Sequence, residues 1–200
     1  MNKLFTVGHS THPISKLIEL LVTNHVTTVC DVRSQPYSRY NPQFNRESLE
    51  RDLEPESIQY VFLGRELGAR SEDPSCYDNG RVVYGRIAKT ELFRQGIERV
   101  TELLHNQNVA LLCAEKDPLT CHRTILVAQA LANIGIEANH ILENGSVETY
   151  RNAIERLRRE EKLRNNDLFR SQADLDAEAF QSRELKIAYR QTSEEPGEKA

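Results

Sequence analysis

The chain has 200 residues, 38% hydrophobic and 28% charged, enough for one α/β domain with a sizeable core plus an appendage. Its formal charge of −4 excludes coating of nucleic acid through bulk positive charge but allows a local basic groove. No apolar stretch is long enough to span a bilayer, the first residues lack the apolar run of a signal peptide, and the four cysteines have no framework spacing, so the expectation is a cytoplasmic chain with reduced thiols and no membrane partner.

In chain order, Leu4–Val7 reads as a strand that ends in the polar turn Gly8-His9-Ser10. Ile14, Leu17, Ile18 and Leu21 have the spacing of a helix over Pro13–Val22, and Pro13 suits its first turn. Val26–Val32 is rich in β-branched residues and predicts a second strand ending near Asp31 and Arg33. A loop rich in Pro, Ser, Asn and Arg follows to Asn45, then a short helix over Arg46–Leu53 and a third strand over Ile58–Leu63. Gly64–Gly85 carries several glycines and Pro74 and reads as a long functional loop, able to move as a lid.

Leu92, Phe93, Ile97, Val100 and Leu104 lie at helical spacing within Glu91–Leu104. Val109–Ala114 is nearly all apolar, as in the buried centre of a parallel sheet. Thr120 is expected to cap the next helix, Gly135 to end it, and Ile136–Leu142 to be the last strand. The alternation predicts a single Rossmann-like α/β domain over 1–150, its mainly parallel sheet flanked by helices. A charged helical C-terminal extension over 151–200 follows. Tyr150, Ile154 and Leu157 form a stripe that packs on the domain, and Phe169, Leu175, Phe180 and Ile187 suit a packing arm or a homodimer contact. The final TSEEPGEKA is expected to be disordered.

Ligands of open parallel sheets bind beyond the carboxyl ends of the strands. That edge receives His9 and Ser10 from the first strand, Asp31 and Arg33 from the second, and Glu115 from the fourth, with Cys121, His122 and Arg123 just beyond. A free thiol is only about 3% ionised at neutral pH, but a helix N-terminus and a neighbouring Arg lower its pKa. Cys121 is therefore a candidate nucleophile, with a structural role and metal ligation as the alternatives. Glu115, Asp31 and His9 are the acid–base candidates. Cys113 is expected to share a face with Glu115 without forming a cluster, and no motif for a metal or dinucleotide is present. Ser10, Arg33, Tyr37, Ser38, Arg39, His122 and Arg123 are the substrate-binding candidates, because arginine forks interleaved with aromatics suit phosphates and bases.

Several blocks together resemble the family called domain of unknown function 488: GHST, DVRSQPYSRYNPQFN, QYVFLGRELG, LLCAEKDPLTCHR, the segment Val83-Tyr84-Gly85-Arg86 with Phe93 and Gly96, and HILENG at His140–Gly145. The resemblance covers Lys3 to Tyr150 and departs from the usual pattern by having Ala69 after Gly68. It implies a compact α/β domain with signature residues at one edge: Gly8, His9, Ser10, Asp31, Arg33, Pro36, Ser38, Glu115, Cys121, His122 and Arg123. It also implies a link to nucleic-acid repair or modification, without assigning a reaction.

The residues thus point to an enzyme acting on an anionic substrate, a nucleotide or nucleic acid. The rival readings are a non-catalytic nucleotide or nucleic-acid binding module, and a thiol redox sensor in which Cys113 or Cys76 resolves Cys121.

Overall fold

The computed structural model describes residues 2–163 and 170–191. Residues 164–169, with Phe169, and the expected disordered end at 192–200 lie outside the described residues.

The strands are β1 (Leu4–Gly8), β2 (Thr28–Asp31), β3 (Gln59–Phe62), β4 (Tyr77–Asp78), β5 (Arg81–Val82), β6 (Val109–Cys113), β7 (Ala138–Ile141) and β8 (Val147–Thr149). Six of them form one sheet in the order β3-β2-β6-β1-β7-β8, parallel except for β8, while β4 and β5 form a separate hairpin. The fold is a single α/β domain of the expected class, with one correction. The Ile136–Leu142 strand is not the last, because Gly145, at φ 86°, turns the chain back into the antiparallel β8.

Period-2 alternation sorts the central strands between two cores. Phe5, Val7, Val29, Ala110 and Leu112 pack against α1 (Ile14–Thr23) and α2 (Arg46–Leu53). Leu4, Cys30, Leu111 and Cys113 face the other side. That side is covered by α3 (Gly64–Leu67), α4 (Tyr84–Ile87), α5 (Glu91–Leu104), α6 (Gln129–Asn133), α7 (Tyr150–Glu160) and α8 (Gln172–Ile187). Burial of both faces explains why β6 reads as an unbroken apolar run. Registers that pair Gly8 with Cys113 and Asp31 with Leu112 end three strands at one level. That level is where the site is built.

Two expectations about the middle of the chain need correction. Gly64–Gly85 is not a plain loop: it holds α3, a 3-10 turn at Pro74–Cys76, the β4–β5 hairpin and the first residues of α4. Thr120 does not cap a helix, because its hydroxyl donates to the Asp117 carbonyl within a 3-10 turn. The extended residue before the next helical segment is Cys121, whose sulfur accepts the Arg123 backbone N–H at 3.4 Å. That segment begins as a π-turn over Arg123–Ala128 before α6, a departure that often accompanies functional sites.

Among the described residues no helix is long and apolar enough to cross a membrane. The extension folds back on its own chain: Leu175, Ala179 and Phe180 of α8 are buried, and α8 packs against α7. Beyond α8, Tyr189 accepts the Val82 N–H and Gln191 donates to the Gly80 carbonyl, which ties the end of the chain to the β4–β5 hairpin.

Candidate functional site

Two clusters meet at the carboxyl ends of β1, β2 and β6. The first is built on β2. Asp31 is fully buried, and both of its oxygens are occupied: Oδ1 accepts from the Arg33 backbone N–H and Nε, and Oδ2 accepts from Arg33 Nη2 at 2.6 Å and the Tyr60 hydroxyl at 2.7 Å. Arg33 Nη1 lies 3.1 Å from His9 Nε2, and since the guanidinium can only donate, that nitrogen accepts. The other ring nitrogen, Nδ1, then donates to the Ser10 carbonyl at 2.8 Å, and the ring stacks on Phe44. Burial, and then the Arg33 charge, push the His9 pKa down to about 4, so the imidazole is neutral. Asp31 and His9 thus aim Arg33, with no free lone pair directed at a substrate.

The second cluster joins β6 to the turn after it. Cys113 Sγ lies 3.7 Å and Cys121 Sγ 3.9 Å from His122 Nδ1, and the three ligand atoms all fall within 4.8 Å of one another. This corrects the expectation that Cys113 stays outside a cluster. Alternation did place Cys113 beside Glu115, but the turn that returns Cys121 and His122 to the same spot has no signature in residue spacing. The sulfur that joins Cys121 is that of Cys113, while Cys76 sits elsewhere in the core.

Charge is distributed unevenly over this cluster. Burial raises the Cys121 thiol, but the Cys113 hydrogen bond, the Arg123 charge and His122 outweigh it and hold Cys121 well below the usual thiol range. Burial, then the hydrogen bond to Cys121, drive Cys113 the other way. Burial and the Cys121 charge also raise Glu115, whose Oε2 is 2.9 Å from Cys121 Sγ. Cys121 Sγ donates to Glu115 Oε2, and the two shifts bring the sulfur and the carboxyl closer in their hold on that proton. His122 is lowered by burial but raised more by Cys121, and its Nε2 donates to the Val32 carbonyl at 2.9 Å.

The cluster opens into a cleft of about 350 Å³. Cys113, Glu115, His122 and Thr120 form its floor; Arg33, Ser34, Gln35 and Tyr37 form one wall; Ala69, Arg70, Tyr84, Ile187 and Tyr189 form the other. Of the residues proposed from sequence, Arg33, Tyr37, Glu115 and His122 line this cleft, and Cys121 lies directly behind the floor. Arg123 is fully buried, with its guanidinium donating to the Glu115 and Lys116 carbonyls, so it shapes the floor from beneath. Ser38 accepts the Tyr40 and Asn41 N–H groups and braces its own loop, while Arg39 is exposed and outside the cleft lining. Ser10 holds a left-handed backbone at φ 49° and ties β1 to Ala114 through its N–H.

Sequence reasoning missed Tyr84, Ile187 and Tyr189 as part of the site. Arg70 stacks 4.5 Å over the Tyr189 ring and donates to Gln35, linking the two walls. A lone tyrosine in a charged extension carries no signal for such a role.

The family model described as "Domain of unknown function DUF488" matches residues 13–130, more than half of the chain. Neither the curated proteins nor the solved structures offer a match.

Proposed function

The chain belongs to the family described as Domain of unknown function DUF488, a description that assigns no reaction, and from the chemistry of its cleft we propose that it is an enzyme acting on an anionic, nucleotide-sized substrate. The observation that carries this reading is the Cys121–Glu115 pair, with 2.9 Å between sulfur and carboxyl oxygen at the foot of a cleft whose walls carry Arg33 and Arg70. Perturbed titratable groups of this kind, gathered in a concave site, are a mark of catalytic rather than structural use.

The parts have distinct tasks. Cys121 supplies the sulfur nucleophile, and Glu115, 2.9 Å away, takes its proton and can deliver it to a leaving group. Arg33, fixed by Asp31 and His9, and Arg70 bring guanidinium donors to the cleft while the chain as a whole is acidic. Tyr37, Tyr84 and Tyr189 offer aromatic surface for a base. The volume of about 350 Å³ suits one nucleotide unit, free or at the end of a strand.

The test is turnover of a panel of nucleotides and short oligonucleotides followed by mass spectrometry. Cys121→Ala and Glu115→Gln are each expected to lower turnover by about 10²–10⁴-fold while calorimetric affinity persists. Arg70→Ala is expected to weaken affinity and flatten its salt dependence. Full turnover in Cys121→Ala contradicts the reading, and binding without turnover in the unaltered chain makes the protein a binding module instead.

A further inference from the structure

We propose that Cys113, Cys121 and His122 bind one zinc-class divalent ion, with its fourth position open to the cleft beside Glu115. The inference deepens the enzyme reading and rests on it for the use of the ion, though not for its binding.

Four observations carry it. The first is ligand geometry. Tetrahedral zinc with bonds of about 2.3 Å to sulfur and about 2.0–2.1 Å to nitrogen places its ligand atoms roughly 3.6–3.8 Å apart. The two sulfur-to-Nδ1 separations are 3.7 and 3.9 Å and all three ligand atoms lie within 4.8 Å of one another, so the ligands stand close to the spacing the ion needs.

The second is the far side of His122. Its Nε2 donates to the Val32 carbonyl, which fixes the ring and leaves Nδ1 as the atom facing the sulfurs. Metal-bound histidines are oriented in this way by a partner behind the ring.

The third is rigidity. Cys113 ends β6, a fully buried central strand, and Cys121 and His122 stand at the entry to the π-turn, anchored by the Arg123 N–H on Cys121 Sγ. Little ordering remains to oppose binding.

The fourth is the open side. Cys113 and His122 both line the cleft, and Glu115 beside them is not part of the ligand triad. Two thiolates and an imidazole with one vacant position are the donor set of a catalytic rather than a closed structural zinc site. Soft sulfur with imidazole favours zinc over magnesium or calcium.

Both cysteines bind as thiolates and His122 through the Nδ1 lone pair, so the entering ion displaces to solvent whatever protons those three atoms carry. Cys121 is then a ligand, and a water or a substrate oxygen in the fourth position becomes the reacting group, with Glu115 to exchange its proton.

The experiment starts from full-length protein that has been reduced, stripped with chelator and dialysed against zinc. One zinc per chain is expected, and cobalt(II) in its place should give sulfur-to-metal charge-transfer bands and intense tetrahedral d–d bands. Cys113→Ser and Cys121→Ser should each weaken zinc binding by more than the roughly 10–100-fold typical of losing an outer-shell partner. Cys30→Ser and Cys76→Ser should bind as the unaltered chain does. The cobalt spectrum needs no variant, so misfolding of a variant cannot mask the answer.

The inference is overturned if the reduced chain retains no zinc, if cobalt binds without charge-transfer bands, or if Cys113→Ser binds zinc undiminished. Turnover by zinc-free protein would overturn the metal's role and leave the enzyme reading standing. One zinc per chain without turnover on any substrate would do the reverse.

Discussion

Among single residues, Asp31 shows how a buried charge can serve a site by holding its arginine, Arg33, in place. All the Asp31 lone pairs that face the protein are used, so removing its charge strands a buried guanidinium. Asp31→Asn is expected to cost about 3–5 kcal/mol in urea denaturation, because the unpaired partner stays buried. Tyr60→Phe removes one hydrogen bond to the same carboxylate and should cost about 1.5–3 kcal/mol. Equal losses would show that the pair is not the anchor. Two histidines set the acid limit of stability. Burial lowers His9 to about 4 and His140 to about 3, from an ordinary value of 6.5. Each is unprotonated in the folded chain where the unfolded chain binds a proton, so stability falls as pH drops from about 6.5, until the folded values are reached. The slope is about 1.4 kcal/mol per pH unit for each proton. Denaturation series at several pH values should show it, and His140→Asn should remove about one proton's worth. At this scale the sequence revealed His9, Asp31, Arg33, Glu115 and Cys121 through their shared position at strand ends. It did not reveal that Arg123 is a support, since burial of an arginine depends on the loop it holds.

At the level of elements, the site depends on how closely β1 approaches the chain leaving β6. A Cβ at Gly8 would stand 1.9 Å from the Glu115 carbonyl oxygen, a contact that only backbone movement can relieve. Gly8→Ala is expected to destabilise the fold by at least about 1–3 kcal/mol and to displace Glu115 from Cys121. An unchanged Cys121 ionisation in that variant would contradict the coupling of β1 to the floor. Strands and long helices were legible because their signals are local: a short apolar run in β1, β-branched residues in β2, an apolar run in β6, helical spacing in α5. Residues 64–85 were not, because their short elements are held by distant partners. The Tyr84 N–H donates to Glu184, and Val82 and Gly80 bond to Tyr189 and Gln191. The π-turn was read as ordinary helix for a similar reason, since its residues are apolar and helix-compatible.

Over the whole molecule, the segment beyond the family match completes the cleft. Glu161 accepts from Ser182, Arg183 and Lys186, clamping α7 to α8. Burial raises this carboxyl, but those three partners lower it to about 2. Its contribution is therefore present above about 4.5 and is lost as pH falls toward 2. Phe180 is a second anchor, buried on the shared core. Phe180→Ala should destabilise the chain by about 3–5 kcal/mol and speed hydrogen exchange at Val82 and Tyr84. Protection unchanged at those amides would mean that the extension does not hold the cleft wall. The sequence placed α7 as a helix on the domain and left the α8 segment as a packing arm or a dimer contact, and nothing in its charged pattern marks the approach of Ile187 and Tyr189 to Arg70.

The most direct test of the account is an ultraviolet titration of thiolate absorbance on reduced, chelator-treated protein across the range from acid to alkaline pH. The unaltered chain should show one thiol ionising well below the usual thiol range, a step that Cys121→Ser removes and Cys30→Ser leaves. The absence of any thiolate below the ordinary thiol range, or its persistence in Cys121→Ser, would contradict the assignment of Cys121 as the electron-rich centre of the site.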